Sequence, residues 1–433
     1  MDTVYTTALK ILNTIRTAGF AALFAGGSVR DMLLGRPAKD YDIATDALPE
    51  QIEALFPRTV AVGKAFGVII VVENGIEIEV TTFRADGGYQ DGRRPGSIKF
   101  SGAEEDAQRR DFTINGMFYD PAENEVIDFT GGRADLKNKL VRAIGEPDRR
   151  FAEDHLRMLR AVRFAFTLGF DIETETRATI IRHAPALAKI SPERIENEFS
   201  RTLTESPNPG DALRELVELG LIKFIIPEIL PLIGQEQPPE FHPEGDVFEH
   251  TVLMLNMMPE HPARELAYAV LLHDVGKPAT AFKTDRWRFH NHEHVSAGMA
   301  EEILRRLRLP AKEIRHIVIA IDRHMRFKDV QNMNRSTLRK LIGAETFELE
   351  LELHRLDCAS SHRMLGNYEF LRRERDNFKA EPVLPPRWIT GADLIARGIP
   401  PGPAMGALLK KAYDAQLEGT FANKAELLEW LKK

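Results

Sequence analysis

The hydrophobic pattern of the chain changes about one third of the way along it. Up to about residue 145, short β-branched runs alternate with helical stretches, and afterwards the apolar positions recur mainly at helical spacing. Val68–Val72 and Ile76–Val80 flank Glu73-Asn74-Gly75, a turn sequence that predicts a β-hairpin. Phe20–Ala25 predicts a buried strand and Val29–Leu34 a helix. The pattern predicts an α+β protein whose head carries a small mixed β-sheet and is followed by an elongated, all-α neck, body and tail.

Proline and glycine clusters predict where the parts of the chain join. With Ser206–Gly210 and Pro382–Pro386 as joints, we expect a head over 1–145, a neck over 146–206, a body over 207–385 and a tail over 386–433. No apolar run approaches the roughly 20 residues of a membrane helix. The start of the chain has the pattern of an amphipathic helix rather than of a signal peptide, and the single Cys358 excludes internal disulfides. A cytoplasmic protein with no membrane partner is therefore expected.

The strongest chemical signal is Gly26-Gly27-Ser28-Val29-Arg30-Asp31. A glycine pair that enters a helix lets backbone N–H groups approach a phosphate, so Gly27 and Ser28 are candidate phosphate contacts. Arg30 adds a planar, permanent positive charge for triphosphate oxygens. A Gly-Gly turn before a helix is by itself most often a plain turn, and the residues that follow decide its meaning.

Asp40 and Asp42 follow this segment at a spacing that puts both carboxylates on one face of a strand. Hard oxygen ligands of this kind suit Mg²⁺. Glu79, on the second strand of the predicted hairpin, is a candidate third carboxylate, although its alternation with Glu77 fits a solvated strand face equally well. Phosphoryl transfer needs metal ions that bridge phosphate oxygens and activate the attacking hydroxyl, and these residues supply such ligands.

Five segments in this order resemble the motifs of the class II CCA-adding enzymes (tRNA nucleotidyltransferases) and their bacterial poly(A) polymerase relatives. They are Gly26–Thr45, Arg109–Asn115, Asp128–Gly132, Glu153–Arg157 and Pro192–Glu198. One small departure is Gly116, where the family commonly has alanine. The resemblance implies Mg²⁺-dependent transfer of CMP and AMP from CTP and ATP to the tRNA 3′ end, with Arg110 and Asn115 near the triphosphate and ribose.

Asp154, Arg157, Arg160 and Arg163 recur every three residues, which on a helix places them along one face. Such a row is usually a solvated stripe, but its chemistry also suits base recognition. An aspartate accepts from the exocyclic amine of cytosine or adenine while an arginine donates to the ring nitrogen; uracil and guanine would leave polar groups unpaired, at about 1–3 kcal/mol each. The resemblance assigns that role to Asp154 and Arg157, with Arg160 and Arg163 in support.

A second cluster lies further on, where nine of the 13 histidines fall between His242 and His324. The series resembles the HD phosphohydrolase domain attached to some bacterial members of the family. Its implied ligands for one or two divalent metals are His250, His273, Asp274, His292, His324 and Asp357. Imidazole with carboxylate suits Mn, Ni, Co, Fe or Zn, so a second divalent transition metal is expected without its identity. An inactive helical scaffold is the alternative.

Several functions therefore stay open. The first is CCA addition; the alternatives are an A-adding enzyme, a poly(A) polymerase, and an HD phosphohydrolase whose head only binds RNA. Pro57–Gly67 lacks the arginine-rich run typical of bacterial poly(A) polymerases, and the glycine-rich loop Arg84–Gly96 favours competence for A addition in the resembling family. The basic end Lys432-Lys433 belongs to a tail that would grip tRNA or pack as ordinary helices. The net charge of −7 argues weakly against nucleic acid, and the oligomeric state is left open.

Overall fold

The structure is a computed structural model that describes residues 3–38, 40–87, 98–378 and 382–431. The chain divides into two compact units, Met1–Pro227 and Glu228–Lys433. Most of the glycine-rich loop and the basic end Lys432-Lys433 lie outside the described residues. The finer joints expected near residues 145, 206 and 385 stay predictions.

The first unit combines a β-sheet head with helices. Its strands are β1 (Ala22–Ala25), β2 (Asp42–Thr45), β3 (Thr59–Gly63), β4 (Val68–Glu73), β5 (Ile76–Thr82), β6 (Arg84–Asp86), β7 (Ile98–Phe100), β8 (Met117–Asp120), β9 (Glu125–Asp128), β10 (Leu140–Val141) and β11 (Asp171–Ile172). Its helices are α1 (Thr3–Thr17), α2 (Gly27–Leu33), α3 (Pro49–Leu55), α4 (Ala103–Gln108), α5 (Gly132–Asn138), α6 (Pro147–Glu153), α7 (Arg157–Leu168), α8 (Thr174–His183), α9 (Pro192–Glu205) and α10 (Pro209–Glu218).

A seven-stranded mixed sheet forms the centre of the head, in the order β3-β4-β5-β2-β1-β8-β9. The predicted hairpin is confirmed: β4 and β5 pair antiparallel, and Asn74 and Gly75 take the positive φ values of 52° and 79° that a tight hairpin turn needs. β5 then pairs in parallel with β2. On β5, Ile78 and Val80 are buried while Glu79 is exposed, so a register slip of one residue would bury the carboxylate.

The second unit is mainly helical. Its elements are α11 (Val247–Asn256), α12 (Arg264–Leu272), α13 (Lys277–Thr280), β12 (Ala281–Lys283), β13 (Trp287–Phe289), α14 (His292–Arg306), α15 (Ala311–Arg323), α16 (Arg335–Ile342), α17 (Phe347–Ser360), α18 (Gly366–Asn377), α19 (Gly391–Ile395), α20 (Pro403–Glu418) and α21 (Lys424–Trp430). Among the described residues, no helix is both long enough and apolar enough to cross a membrane.

The α+β class predicted from the hydrophobic pattern is confirmed, with one correction. The part after the head is not all-α, because β10 pairs with β11 and β12 forms a hairpin with β13. These strands are two or three residues long, and the periodicity of an amino-acid sequence is too coarse to reveal such short elements.

Candidate active site and metal centre

A turn at Gly26 brings the start of α2 against the end of the central strands. Gly26 has φ +72°, a conformation that favours glycine, and a Cβ built on it would lie 2.9 Å from Arg110 Nη1 and 4.0 Å from Asp42 Oδ2. The predicted phosphate turn and the predicted carboxylate therefore adjoin each other. Ser28 is buried and its hydroxyl donates to the Ala25 carbonyl at 3.1 Å, so this side chain braces the turn.

Three carboxylates lie near this edge of the sheet, although they are not among the groups whose ligand atoms all lie within 4.8 Å of one another. Asp42 is the first residue of β2, and Ile43 lies opposite Val80 of β5, which places Glu79 beside Asp42. Burial first, and then the charges of Glu79 and Asp40, raise the pKa of Asp42 to about 6, against an opposing effect of Arg110. The effect of Glu79 on the pKa of Asp42, together with its position beside Asp42, favours Glu79 as the third carboxylate. A cation would relieve the repulsion among these groups, so the residues fit a divalent metal.

The position of Asp40 departs from the prediction. Asp40 precedes β2 and is exposed, so the pair does not share the face of one strand as the spacing suggested. From the segment that precedes β2, the charge of Asp40 still helps to raise the pKa of Asp42.

Asn115 links the two arginines predicted to contact the nucleotide. Arg30 Nη1 donates to Asn115 Oδ1 at 2.8 Å, and Arg110 Nη1 donates to the Asn115 carbonyl at 3.4 Å. Arg110 is also held by Asp106, whose Oδ2 accepts from Arg110 Nη2 at 3.0 Å. Since Asp106 is fully buried, the guanidinium of Arg110 is fixed beside the carboxylates rather than free in solvent.

Asp111 connects this group to the helices, and the sequence analysis did not select it as a site residue. Its Oδ1 accepts from Asn115 Nδ2 at 3.1 Å, and its Oδ2 accepts from Arg160 Nε at 2.8 Å. Burial opposes ionisation, but the charge and hydrogen bonds of Arg160 outweigh it and hold the pKa of Asp111 well below its usual range. Asp111 lies within the motif Arg109–Asn115, and its position in that motif could have identified it as a site residue.

The predicted row of four charged residues is not one helical face. α6 ends at Glu153 and α7 begins at Arg157, so Asp154 lies in the connection between two helices. Asp154 Oδ2 accepts from Arg194 Nη2 at 2.9 Å, and a second nitrogen of Arg194, Nη1, is buried without a hydrogen-bond partner. Arg194 of α9 is thus a neighbour of Asp154 that helical spacing could not identify.

The arginines of α7 point to different partners. Arg157 Nη1 donates to Glu153 Oε2 at 2.9 Å, and its Nη2 donates to the Arg109 carbonyl at 3.1 Å. Arg163 Nε donates to Glu198 Oε2 at 2.7 Å, and Arg160 lies 3.6 Å from Glu198 Oε1. Arg157 therefore connects α6 and α7 to the segment at Arg109, whereas Arg160 and Arg163 share a carboxylate of α9.

In the second unit, the structure brings all six predicted HD residues together. Among the described residues, they form two of the three groups whose ligand atoms lie within 4.8 Å of one another: His250 with His273 and Asp357, and Asp274 with His292 and His324. The third group joins His250 to His242 and Glu244. Gly276 permits this assembly, because a Cβ on it would lie 2.6 Å from the Ser296 backbone nitrogen. A larger residue would separate Asp274 from α14.

Several atoms of this cluster lack the partners that buried polar atoms normally have. His250 Nε2, His273 Nε2 and Asp274 Oδ1 are buried without a hydrogen bond. Each nevertheless faces another group of the cluster: His250 Nε2 lies 3.2 Å from Asp357 Oδ1, His273 Nε2 3.1 Å from Asp274 Oδ2, and Asp274 Oδ1 3.4 Å from His292 Nε2. His292 Nε2 and His324 Nε2 face each other at 3.2 Å. Burial and His273 lower the pKa of His324 to about 4, so its ring is neutral at pH 7. Imidazole nitrogens that lack hydrogen bonds and lie against carboxylate oxygens form a set of donor atoms that fits divalent metal ions.

Two further residues border the cluster, and sequence reasoning missed their role. Glu244 Oε1 accepts from His242 Nδ1 at 2.9 Å and from His250 Nδ1 at 2.6 Å. Burial opposes ionisation of Glu244, but these two hydrogen bonds lower its pKa to about 2. Lys277 Nζ also lies 2.6 Å from Asp274 Oδ2 and adds a buried positive charge. The many histidines predicted a metal site in this segment, but the sequence pattern gave no indication that Glu244 would contact two of them.

Family profiles match three parts of the chain. The "Poly A polymerase head domain" matches residues 22–142, the "Probable RNA and SrmB- binding site of polymerase A" matches residues 169–233, and the "HD domain" matches residues 247–357. The fold and the two clusters thus define a nucleotidyltransferase of the poly(A) polymerase type that carries an HD domain.

Curated relatives and solved structures narrow this class. A CCA-adding enzyme of Bacillus licheniformis is 33% identical over 438 residues, covering 100% of this chain and 98% of the relative. One of Geobacillus sp. is 47% identical over 219 residues, 50% of this chain and 54% of the relative. The crystal structure of the Bacillus stearothermophilus CCA-adding enzyme in complex with CTP superposes with a TM-score of 0.75 at 31% identity, covering 100% and 98% of the two chains. The chain belongs to the family of CCA-adding enzymes.

Proposed function

We propose that this chain adds cytidine and adenosine nucleotides to the 3′ end of tRNA, using CTP and ATP and releasing pyrophosphate. The observation that carries the proposal is the convergence of Asp42, Glu79 and Asp40 beside the glycine turn and Arg110. A protein that merely bound RNA would have no need for mutually repelling carboxylates at that edge. Relatives named as CCA-adding enzymes, one of them solved with CTP, support the same substrates.

In this proposal Mg²⁺ would be held by Asp40, Asp42 and Glu79, where it would neutralise charge on the transferred phosphoryl group and favour ionisation of the tRNA 3′ hydroxyl. The chain's own residues supply orientation. Gly27, Ser28 and Arg30 would border the triphosphate, and Arg110 and Asn115 the ribose and phosphates. Asn115 holds both arginines, so it would fix the distance between the two positive charges that contact the nucleotide.

Base selection is proposed for Asp154 and Arg157. The two side chains form no hydrogen bond with each other. A pair of residues that reads a base requires this, because each side chain must keep a polar group for the Watson–Crick edge of cytosine or adenine. Arg194 keeps the Asp154 carboxylate in place, and Glu153 does the same for Arg157. Arg160 and Arg163 would support Asp154 and Arg157 indirectly, through their shared contact with Glu198. The base is thus read by protein groups without a nucleic-acid template.

Replacing Arg157 with alanine is expected to relax base choice more than it weakens triphosphate binding. Loss of the donor removes a discrimination of about 1–3 kcal/mol against UTP and GTP, which corresponds to about 5- to 150-fold in relative kcat/KM. The measurement is kcat/KM for each of the four nucleotides on tRNA ending in C. Arg149→Ala, at an exposed arginine of α6, is the control. Unchanged selectivity in Arg157→Ala would contradict the base-reading role.

Incorporation by the purified protein with Mg²⁺ tests the function as a whole. Transcripts of tRNA ending at the discriminator base, at C and at CC would be offered with labelled CTP, ATP or both. Growth of the shortest transcript by CCA followed by a stop supports the proposal. Addition of AMP only to the CC-ended transcript would indicate an A-adding enzyme, and long A tails a poly(A) polymerase. No incorporation would reject the transferase and leave an RNA-binding head.

The HD cluster is proposed as a second, separate metal site with phosphohydrolase chemistry. Its two ligand groups would hold one or two divalent transition ions, and the metal would supply an activated water for attack on a phosphate ester. The buried Nε2 atoms of His250 and His273 form no hydrogen bond and instead face carboxylate oxygens of Asp357 and Asp274 at 3.2 and 3.1 Å. Since buried polar groups are otherwise hydrogen-bonded, this arrangement supports a metal site against a retained scaffold.

Replacing Asp274 with alanine is expected to abolish binding of Mn²⁺, Co²⁺ or Ni²⁺ by the second unit and hydrolysis of 2′,3′-cyclic phosphates. Nucleotide transfer should persist, because Asp274 belongs to the second unit and the transferase carboxylates to the first. Bound metal would be measured by mass spectrometry after dialysis, with Asp285→Ala as a control at an exposed aspartate of the same unit. Equal metal content in wild type and Asp274→Ala would reject the site.

A further inference from the structure

The four histidines of the HD cluster each have one ring nitrogen fixed by an oxygen acceptor. In three of them Nδ1 is held by a backbone carbonyl three residues earlier in the chain. These pairs are His273 with Val270 at 2.8 Å, His292 with Phe289 at 2.8 Å and His324 with Ile321 at 2.7 Å. A carbonyl can only accept, so Nδ1 carries the proton and Nε2 presents its lone pair.

His250 is the exception. The carbonyl three residues before it belongs to Val247, and this oxygen accepts instead from the Thr251 hydroxyl at 2.9 Å. Nδ1 of His250 donates to Glu244 Oε1 at 2.6 Å. The His250 side chain is fully buried and that of Glu244 is 8% exposed, so little water competes for this hydrogen bond.

We propose that Glu244 is the positioning residue of the HD metal site, which orients His250 and strengthens it as a ligand. This inference rests on the proposed metal site. A carboxylate that accepts from the far nitrogen of a metal-bound imidazole fixes its tautomer and raises its basicity more than a carbonyl does. Glu244 therefore makes His250 the strongest nitrogen donor of the cluster, on the side shared with His273 and Asp357.

The segment before α11 is built to hold this carboxylate. Asp246 caps α11 by accepting from the Glu249 backbone N–H at 2.8 Å, and its second oxygen accepts from the Gly234 N–H at 2.6 Å. Glu244 is two residues before this anchored cap. Its Oε1 also accepts from His242 Nδ1 at 2.9 Å, so the oxygen is fixed by two donors. Glu244 is thus held in place before any metal arrives.

The test is a titration of the full-length, metal-free protein with Co²⁺, followed by the visible absorption of the bound ion. Glu244→Gln keeps the size of the side chain but removes the charge, and should weaken Co²⁺ binding about 10- to 100-fold, the usual cost of losing an outer partner of a metal-bound histidine. The absorption band should also change, since the ligand field of His250 changes. The thermal midpoint of the metal-free protein should stay close to that of wild type.

Two variants separate the hydrogen bond from mere packing. Glu240→Gln makes the same chemical change at an exposed glutamate of the same segment and should bind Co²⁺ like wild type. His242→Ala removes the other donor to Glu244 and should also retain tight binding, because the bond to His250 remains.

Equal affinity in Glu244→Gln and wild type would overturn the positioning role. A loss in His242→Ala as large as in Glu244→Gln would also overturn it, because packing of the segment would then decide the affinity. A wild-type protein that binds no Co²⁺ would reject the proposed metal site itself, and the positioning role with it. Either of the first two results would reject the positioning role of Glu244 without rejecting the proposed metal site.

Discussion

Replacing Asp42 with alanine is expected to reduce nucleotide incorporation by about 10³-fold or more while tRNA binding stays nearly intact. A metal ion at the transferred phosphoryl group contributes several kcal/mol, and each 1.36 kcal/mol is a factor of ten in rate. The charges of Glu79 and Asp40 both act on Asp42, so Asp42 is the central member of the three carboxylates. Its loss would therefore disrupt the proposed metal site. Single-turnover incorporation gives the rate, and a gel-shift titration gives the affinity for tRNA.

Glu77→Ala is the matched control for this experiment. Glu77 is an exposed carboxylate on β5, two residues from Glu79, and it lies further than Glu79 from the residues of β5 that pair with β2. Its removal should leave the rate within a factor of two of wild type, as for a solvated surface charge. Retained turnover in Asp42→Ala, or an equal loss in Glu77→Ala, would refute the metal assignment.

Replacing Asp111 with asparagine is expected to destabilise the first unit by about 3 kcal/mol, the low end of the cost of breaking a buried ion pair. The low end applies because the Arg160 side chain keeps 32% exposure and also lies near Glu198. Hydrogen exchange of the α7 amides is the measurement, since α7 carries Arg160. Asp148→Asn, at an exposed aspartate paired with Arg182, should change protection little. Unaltered protection in Asp111→Asn would contradict a stabilising role.

The same pair predicts how stability depends on pH. The pKa of Asp111 is lowered in the folded protein, so ionisation of this group stabilises the fold above the unfolded value of about 4. The stabilisation is lost as pH falls below that value towards the lower folded pKa. The difference between wild type and Asp111→Asn should therefore stay constant from about pH 8 to about pH 5 and shrink below about pH 4. A difference that shrinks at neutral pH would contradict this assignment.

The amino-acid sequence determined the parts that depend on short-range pattern. Two β-branched runs around a turn sequence predicted the hairpin of β4 and β5, and burial of Ile78 and Val80 fixes which face Glu79 occupies. The order of the motifs indicated the family, and six widely spaced histidines and aspartates were selected as one cluster. The hairpin depends on residue type and spacing alone, whereas the motifs and the histidine series were recognised by their resemblance to a known family.

Only the tertiary structure decided which charged groups meet. Helical spacing grouped Asp154 with Arg157, but a break between α6 and α7 turns Asp154 towards Arg194. Asp111 joins Arg160 across 49 residues, and Glu244 takes the place of a backbone carbonyl behind His250. Such contacts depend on where a helix ends and on how buried charges find partners, and both are settled by packing between segments distant in the chain. Residue spacing along the chain therefore does not predict which of these distant residues come into contact.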